Sequence, residues 1–302
     1  MSIFVTFGKM MMILFAISMG FLANRLGYLS EEINRKLTKL VMNITMPCMF
    51  LGSVLTGDAL PDTATILSVL KVAALFYGLE LVFVLILPPL IGGTPMQKGV
   101  WRLACFSPNN AFIGYPVVAA LFGEGAVFYA VLLCLPYNVL NYTLSPAMLN
   151  GKTRFSWKVF CTPILISSVI SLIIALTGFS APALVCESFA LVGDVTVPLS
   201  LLVLGSVLAG MPVKRVFSEP RMLIVSAVRL LLQPLALLAL LRLLGVEGLI
   251  LSVAVIEMAM PAAVNSVMLC LEYDGDVDTM AQTVFVSTVL SMVTIPLVAA
   301  LL

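Results

Sequence analysis

Ser107-Pro108-Asn109-Asn110-Ala111-Phe112-Ile113-Gly114-Tyr115-Pro116 decides how this chain folds. The stretch lies inside an apolar span from about Lys98 to Phe122, long enough to cross a bilayer. A proline and two adjacent carboxamides midway break the helix and leave backbone N–H and C=O groups that hydrocarbon cannot satisfy. Such a break is tolerated only where it lines a cavity or is packed in protein. About 150 residues later the span from Gly248 to Leu271 is interrupted in the same way, at Met260-Pro261-Ala262-Ala263-Val264-Asn265. Two broken spans at matching places in the two halves of an apolar chain point to a transporter's binding site.

The rest of the composition agrees with a bilayer as solvent. Of 302 residues, 61% are hydrophobic and only 10% charged, at a mean hydropathy of +1.15, whereas soluble domains carry about a quarter charged residues. A net charge of +1 leaves no footprint for nucleic acid. The absence of histidine removes His-dependent zinc sites and the Ser-His-Asp and Cys-His nucleophile pairs. Six scattered cysteines without a CxxC pair read as small hydrophobes. The first span, Ile3 to Ala23, lacks a basic leader and a small-residue cleavage site and reads as a retained helix.

Ten apolar windows follow: Ile3 to Ala23, Leu37 to Thr56, Ile66 to Leu90, Lys98 to Phe122, Ala126 to Leu149, Trp157 to Thr177, Ala183 to Ala209, Arg221 to Leu244, Gly248 to Leu271 and Val277 to Leu302. The expectation is an all-α membrane protein of ten transmembrane helices. Twelve of the sixteen basic residues fall in alternate loops, after helices one, three, five and seven. That side reads as cytoplasmic, with both termini on the opposite side of the cell membrane.

The halves repeat. Asn43-Ile44-Thr45-Met46-Pro47 matches Asp194-Val195-Thr196-Val197-Pro198, 151 residues later. Gly52-Ser53-Val54-Leu55 matches Gly205-Ser206-Val207-Leu208, and Val139 to Pro146 matches Val289 to Pro296. The domains expected are residues 1–150 and 151–302, five helices each. An odd number places the second repeat upside down relative to the first.

Four segments carry a family resemblance: Asn110-Ala-Phe-Ile-Gly-Tyr-Pro116, Leu121-Phe-Gly-Glu-Gly125, Pro261-Ala-Ala-Val-Asn265 and Ser287 through Pro296. Together they resemble the signature segments of the auxin efflux carrier family, which includes plant PIN carriers and bacterial malonate-type permeases. The resemblance spans essentially the whole chain. It implies the inverted-repeat fold of bile-acid sodium symporters and Na⁺/H⁺ antiporters, with a scaffold of helices one, two, six and seven and a transport domain holding crossed helices four and nine. It also implies elevator-type alternating access and a small organic anion, such as a mono- or dicarboxylate, as substrate. A homodimer through the scaffold helices is a further expectation, and no cofactor is expected beyond a coupling Na⁺ or H⁺.

The polar residues then acquire candidate roles. A half-helix starting after Pro108 presents unpaired N–H groups and a positive dipole end, which can hold an anion. Asn109 and Asn110 add amide donors, and Pro261 and Asn265 supply the second break. The family resemblance places the substrate carboxylate at the helix-four asparagine, and Asn109 and Asn110 stay equivalent at this point. The alternative is that these amides only satisfy the broken backbone. Glu257, four residues before Pro261, stands near the carbonyl end of the first half of helix nine, where a carboxylate needs a cation or proton; pairing with a basic neighbour is the other reading. Sodium symporters of the implied fold have a similar glutamate near that break. Glu80 and Arg229, which correspond across the repeat, are expected to form a buried structural pair. Asp194 either titrates with the coupling ion or only hydrogen-bonds. Pro47 and Pro198 are expected to kink their helices, and Asn138 and Asn141 face a cavity or a neighbouring helix. Gly52, Gly57, Gly205 and Gly210 are expected to permit sliding contact.

Two readings of other classes stand beside the transporter. An ion channel or ion-only antiporter would bind cations alone at the breaks, and an intramembrane enzyme would use Asp194 and Asp274. The acidic run from Glu272 to Asp276 does not fit a calcium loop and reads as a solvated turn.

Overall fold

The computed structural model describes residues 3–55, 62–151, 161–210 and 220–302. Gly57, the basic residues Lys152, Arg154, Lys158, Lys214 and Arg215, and the side chain of Asn138 lie outside the described residues. In chain order the helices are α1 Ile3–Arg25, α2 Glu31–Leu40, α3 Met46–Leu55, α4 Thr63–Ile91, α5 Pro95–Phe106, α6 Tyr115–Phe122, α7 Gly125–Asn150, α8 Pro163–Thr177, α9 Ala183–Gly193, α10 Thr196–Gly210, α11 Arg221–Ala227, α12 Gln233–Leu243, α13 Gly248–Met258, α14 Asn265–Glu272 and α15 Val277–Ala299.

Among the described residues, five helical stretches are long and apolar enough to cross a membrane: Glu31–Leu55, Thr63–Ile91, Ala183–Gly210, Arg221–Leu243 and Val277–Ala299. The bent pair Gly125–Asn141 and Thr143–Asn150 makes a sixth. Met11–Arg25, Asn110–Phe122, Pro163–Thr177 and Gly248–Met258 are shorter apolar helices. The expected fourth and ninth spans are thus each two short helices around a break, as the prolines and asparagines require.

Proline explains where the other helices loosen. Wide π-turns occur at Val41–Thr45, Asn110–Gly114 and Val228–Leu232, each ending two residues before a proline, Pro47, Pro116 or Pro234. Proline offers no N–H and crowds the carbonyl four residues back, so the turn ahead of it widens. α9 ends with Asp194 as its C-cap, four residues before Pro198. The turns are set by ordinary local chemistry. Thr94 closes a capping box with Gln97 before α5, Asp62 accepts from Thr65 N at 2.9 Å, and Asp276 caps α15 through Thr279. Gly123, at φ 91°, makes the reversal between α6 and α7.

Two apolar cores result. One gathers α4, α5, α7, α11 to α14 and the inner face of α15 around Phe76, Trp101, Phe106 and Leu237. The other packs α1, α3, α6, the first half of α7, α10, α13 and the C-terminal end of α15 around Phe50, Val117, Leu204 and Ile256. Nearby, α1 runs along α10, and α3 along α8 and α9. The spacing of small residues serves these pairs. A side chain on Gly205 would collide with the Ile17 carbonyl and one on Gly20 with Leu202, while Gly193 sits 2.8 Å, measured from an ideal Cβ, from Met49 Cα. Of the glycines expected to permit sliding, Gly52 faces Ala190 and Gly205 faces Ile17 in close packing, and Gly210 meets nothing within 4 Å among the described residues.

Candidate functional site: the crossing of two broken helices

The breaks meet. Asn109 N donates to Pro261 O at 2.8 Å and Ala263 N donates to Ser107 O at 2.9 Å, a two-bond antiparallel bridge centred on Pro108 and Ala262. Ala262 N finds the Ser287 hydroxyl at 3.2 Å. Each break thus satisfies much of its freed backbone with the other, which answers the cost of exposing peptide groups at membrane depth.

Four half-helix ends converge here, two with free carbonyls and two with free N–H groups. The carbonyl ends are held by Arg229. Its Nη1 donates to Cys105 O at 2.9 Å and to Glu80 Oε1 at 2.7 Å, and its Nε donates to Met260 O at 3.0 Å. Gln233 accepts from the same guanidinium at 3.0 Å and donates its own amide to Cys105 O at 3.0 Å. Glu80 and Arg229 are 0% and 1% exposed, so the pair expected from the repeat exists and is fully buried. Sequence reasoning did not reach the contacts to both breaks or the role of Gln233. The signal available was the π-turn before Pro234, which turns Arg229 and Gln233 toward one point.

The N–H ends carry the amides. Asn109 and Asn110 are 2% and 3% exposed. Asn109 O accepts from both Ile113 N and Gly114 N, opening the π-turn. The Asn109 amide nitrogen has no hydrogen-bond partner among the described residues, nor have Asn110 Oδ1 and Asn265 Oδ1. Asn110 Nδ2 lies 2.8 Å from Cys134 Sγ. On the α7 side, Ser107 pairs with the Tyr137 hydroxyl at 2.7 Å and donates to Asn141 at 3.2 Å, so Asn141 faces the break.

Glu257 is 0% exposed, and both carboxyl oxygens lack a partner among the described residues. It was expected at the carbonyl end of α13. Its carboxyl instead lies against Gly114, in the first turns of the opposite half-helix: an ideal Cβ on Gly114 would be 2.5 Å from Oε2. The cause is directional, since side chains on a helix lean toward its N-terminus, away from the carbonyl end. Asp194 is exposed at the α9–α10 bend, not among the groups at the crossing, and Asp274 sits on a separate exposed turn at φ 55°.

A groove of about 350 Å³ opens between α1, α6 and α10, bordered by Ala16, Pro116, Ala120, Glu124 and Pro198. A smaller cavity between α1 and α15 reaches Ile113 and Thr288. Neither is lined by Asn109, Asn110 or Asn265. Of the expected anion groups, Asn109 and Asn110 are buried and Asn265 is partly exposed.

Crossed, interrupted helices with buried polar ends, in a chain of this apolarity, define a membrane transporter. The comparisons agree. The family model described as Membrane transport protein matches residues 5–155 and again 145–299. This chain belongs to that family, the auxin efflux carrier family, and it is a transporter, not an enzyme. An uncharacterized transporter of Methanothermobacter thermautotrophicus is 28% identical over 291 residues, covering 94% of each chain. Another from Methanocaldococcus jannaschii is 27% identical over 307 residues, covering 95% of this chain and 96% of its own.

Proposed function

We propose that the protein is a secondary transporter of small organic anions, mono- or dicarboxylates, working by elevator-type alternating access. Ten spanning helices form two inverted five-helix repeats, residues 1–150 and 151–302, a reading supported by the double family match. Helices one, two, six and seven are the scaffold, and helices three to five and eight to ten form the moving body. Both termini face outward, and the scaffold supplies any dimer contact. The reading is supported by the bridge at Pro108 and Ala262, which joins the two breaks, and by the polar atoms near it that lack a partner among the described residues, the Asn109 amide nitrogen and the Oδ1 atoms of Asn110 and Asn265. A carboxylate is bound there by N–H groups and amides, with Pro108 and Pro261 holding the breaks open. Glu257 carries the coupling Na⁺ or H⁺.

Uptake of labelled malonate and related carboxylates into proteoliposomes tests this. Accumulation is expected in wild type, with Asn109→Ala or Asn110→Ala raising KM at least tenfold. Glu257→Gln should abolish ion dependence while leaving binding partly intact. Absence of any carboxylate flux across the panel refutes the substrate class. The unpartnered Glu257 carboxyl favours a second reading, an ion-only antiporter, which would move cations in the absence of every organic anion.

A further inference from the structure

The geometry points to Arg229 as the resident cation of the crossing: it fills the place that a sodium ion would take between the broken helices, and so makes the coupling sodium-independent. The inference deepens the transporter reading and rests on it only for the word coupling.

Interrupted helices gather carbonyl oxygens at their C-terminal ends, and such oxygens, joined by a carboxylate, form the donor set that hard monovalent and divalent cations favour. Here that set is Cys105 O, Met260 O, Gln233 Oε1 and Glu80 Oε1. All four lie within 2.7 to 3.0 Å of one guanidinium. Two of the four come from the two different breaks, so the charge sits where both negative helix ends point. The group is 1% exposed, and its Nη1 and Nε protons are already committed. A metal ion cannot share these oxygens without expelling an arginine that has no solvent to enter. The charge balance agrees. Arg229 is matched by Glu80, so the cluster is neutral without an added ion. Glu257, the remaining buried carboxyl, faces Gly114 on the N–H side of the crossing, away from this donor set.

The test needs no substrate. Thermal unfolding of purified protein is followed in NaCl and in choline chloride at equal ionic strength. Wild type should unfold at the same temperature in both. Arg229→Gln frees the four oxygens beside an unpaired Glu80, and sodium should then raise Tm by several degrees, saturably, as binding to the native state requires. Glu80→Gln/Arg229→Gln, lacking the carboxylate, should lose that response. A saturable, sodium-specific shift in wild type overturns the proposal, as does a folded Arg229→Gln protein blind to sodium. If the single variant folds in neither salt, wild type and the double variant decide: both blind to sodium supports the proposal, and a sodium response in either refutes it. Because the readout is binding, carboxylate transport can fail while this result stands, and the reverse.

Discussion

Gly114→Ala is expected to be destabilising for a reason that has nothing to do with glycine's backbone freedom. Gly114 is at φ −58° and ψ −59°, ordinary helical values, where alanine normally stabilises by about 0.5–1 kcal/mol. What the site lacks is room. The new Cβ would stand 2.5 Å from Glu257 Oε2 and 3.0 Å from Cδ, against an ordinary contact of 3.4 Å or more. The carboxyl must retreat by about 0.9 Å, and being fully buried it has no water to swing into. Overpacking of this kind costs roughly 1–3 kcal/mol. The net loss is about 0.5–2 kcal/mol, or a fall of roughly 1–8 °C in Tm for a chain of this class. The decisive arm is the Glu257→Ala background. There the obstruction is gone and Gly114→Ala should turn stabilising by about 0.5–1 kcal/mol, so a double-mutant cycle gives a coupling of roughly 1–3 kcal/mol. Thermal unfolding of the four proteins in one detergent measures it. A Gly114→Ala protein more stable than wild type, or an equal loss in both backgrounds, would show that the carboxyl does not lie on Gly114.

Gly205→Ala drives a side chain into the Ile17 carbonyl, a backbone atom that cannot turn aside; a loss at or above about 3 kcal/mol is expected, seen as collapse of the monodisperse peak in size exclusion. Gly78→Ala in α4, which meets nothing within 4 Å among the described residues, should gain about 0.5–1 kcal/mol and serves as the control. Thr94→Ala removes the capping box of α5 and should cost about 1 kcal/mol in thermal unfolding. The Thr65 side chain, and after it the Thr65 N–H, hydrogen-bonds to Asp62, which holds its carboxyl below the usual value of 3.8. Its contribution is therefore present above pH 3.8 and lost as pH falls further. Asp62→Asn should flatten the acid limb of the Tm profile, and an unchanged limb would contradict the cap.

The breaks were legible because proline and paired carboxamides have no other economical place in an apolar span, and the Glu80–Arg229 pair because the repeat put both on corresponding helices. The π-turns were readable in principle from Pro47, Pro116 and Pro234. Other features depend on direction in space, which spacing does not encode. Counting back from Pro261 put Glu257 at a carbonyl end, yet its side chain leans the other way onto Gly114. Arg229 reaches Cys105 and Met260, more than 120 and about 30 residues away in the chain, and no local pattern announces that. The glycines carried a true signal of close packing but not of its partner: whether Gly205 meets a fixed or a moving neighbour is decided by how α1 is placed. The amides at Asn109 and Asn110 were found, and their near-complete burial was not foreseeable from composition.

The stitch between Pro108 and Ala262 has a consequence for biosynthesis. The peptide groups of Ser107 and Asn109 obtain their partners from residues that emerge from the ribosome some 150 positions later. Until then the early half holds an unsealed polar gap in its fourth segment, which must wait beside the insertion machinery or borrow water. Truncation anywhere before Ala263 therefore leaves the Ser107 carbonyl without its Ala263 partner.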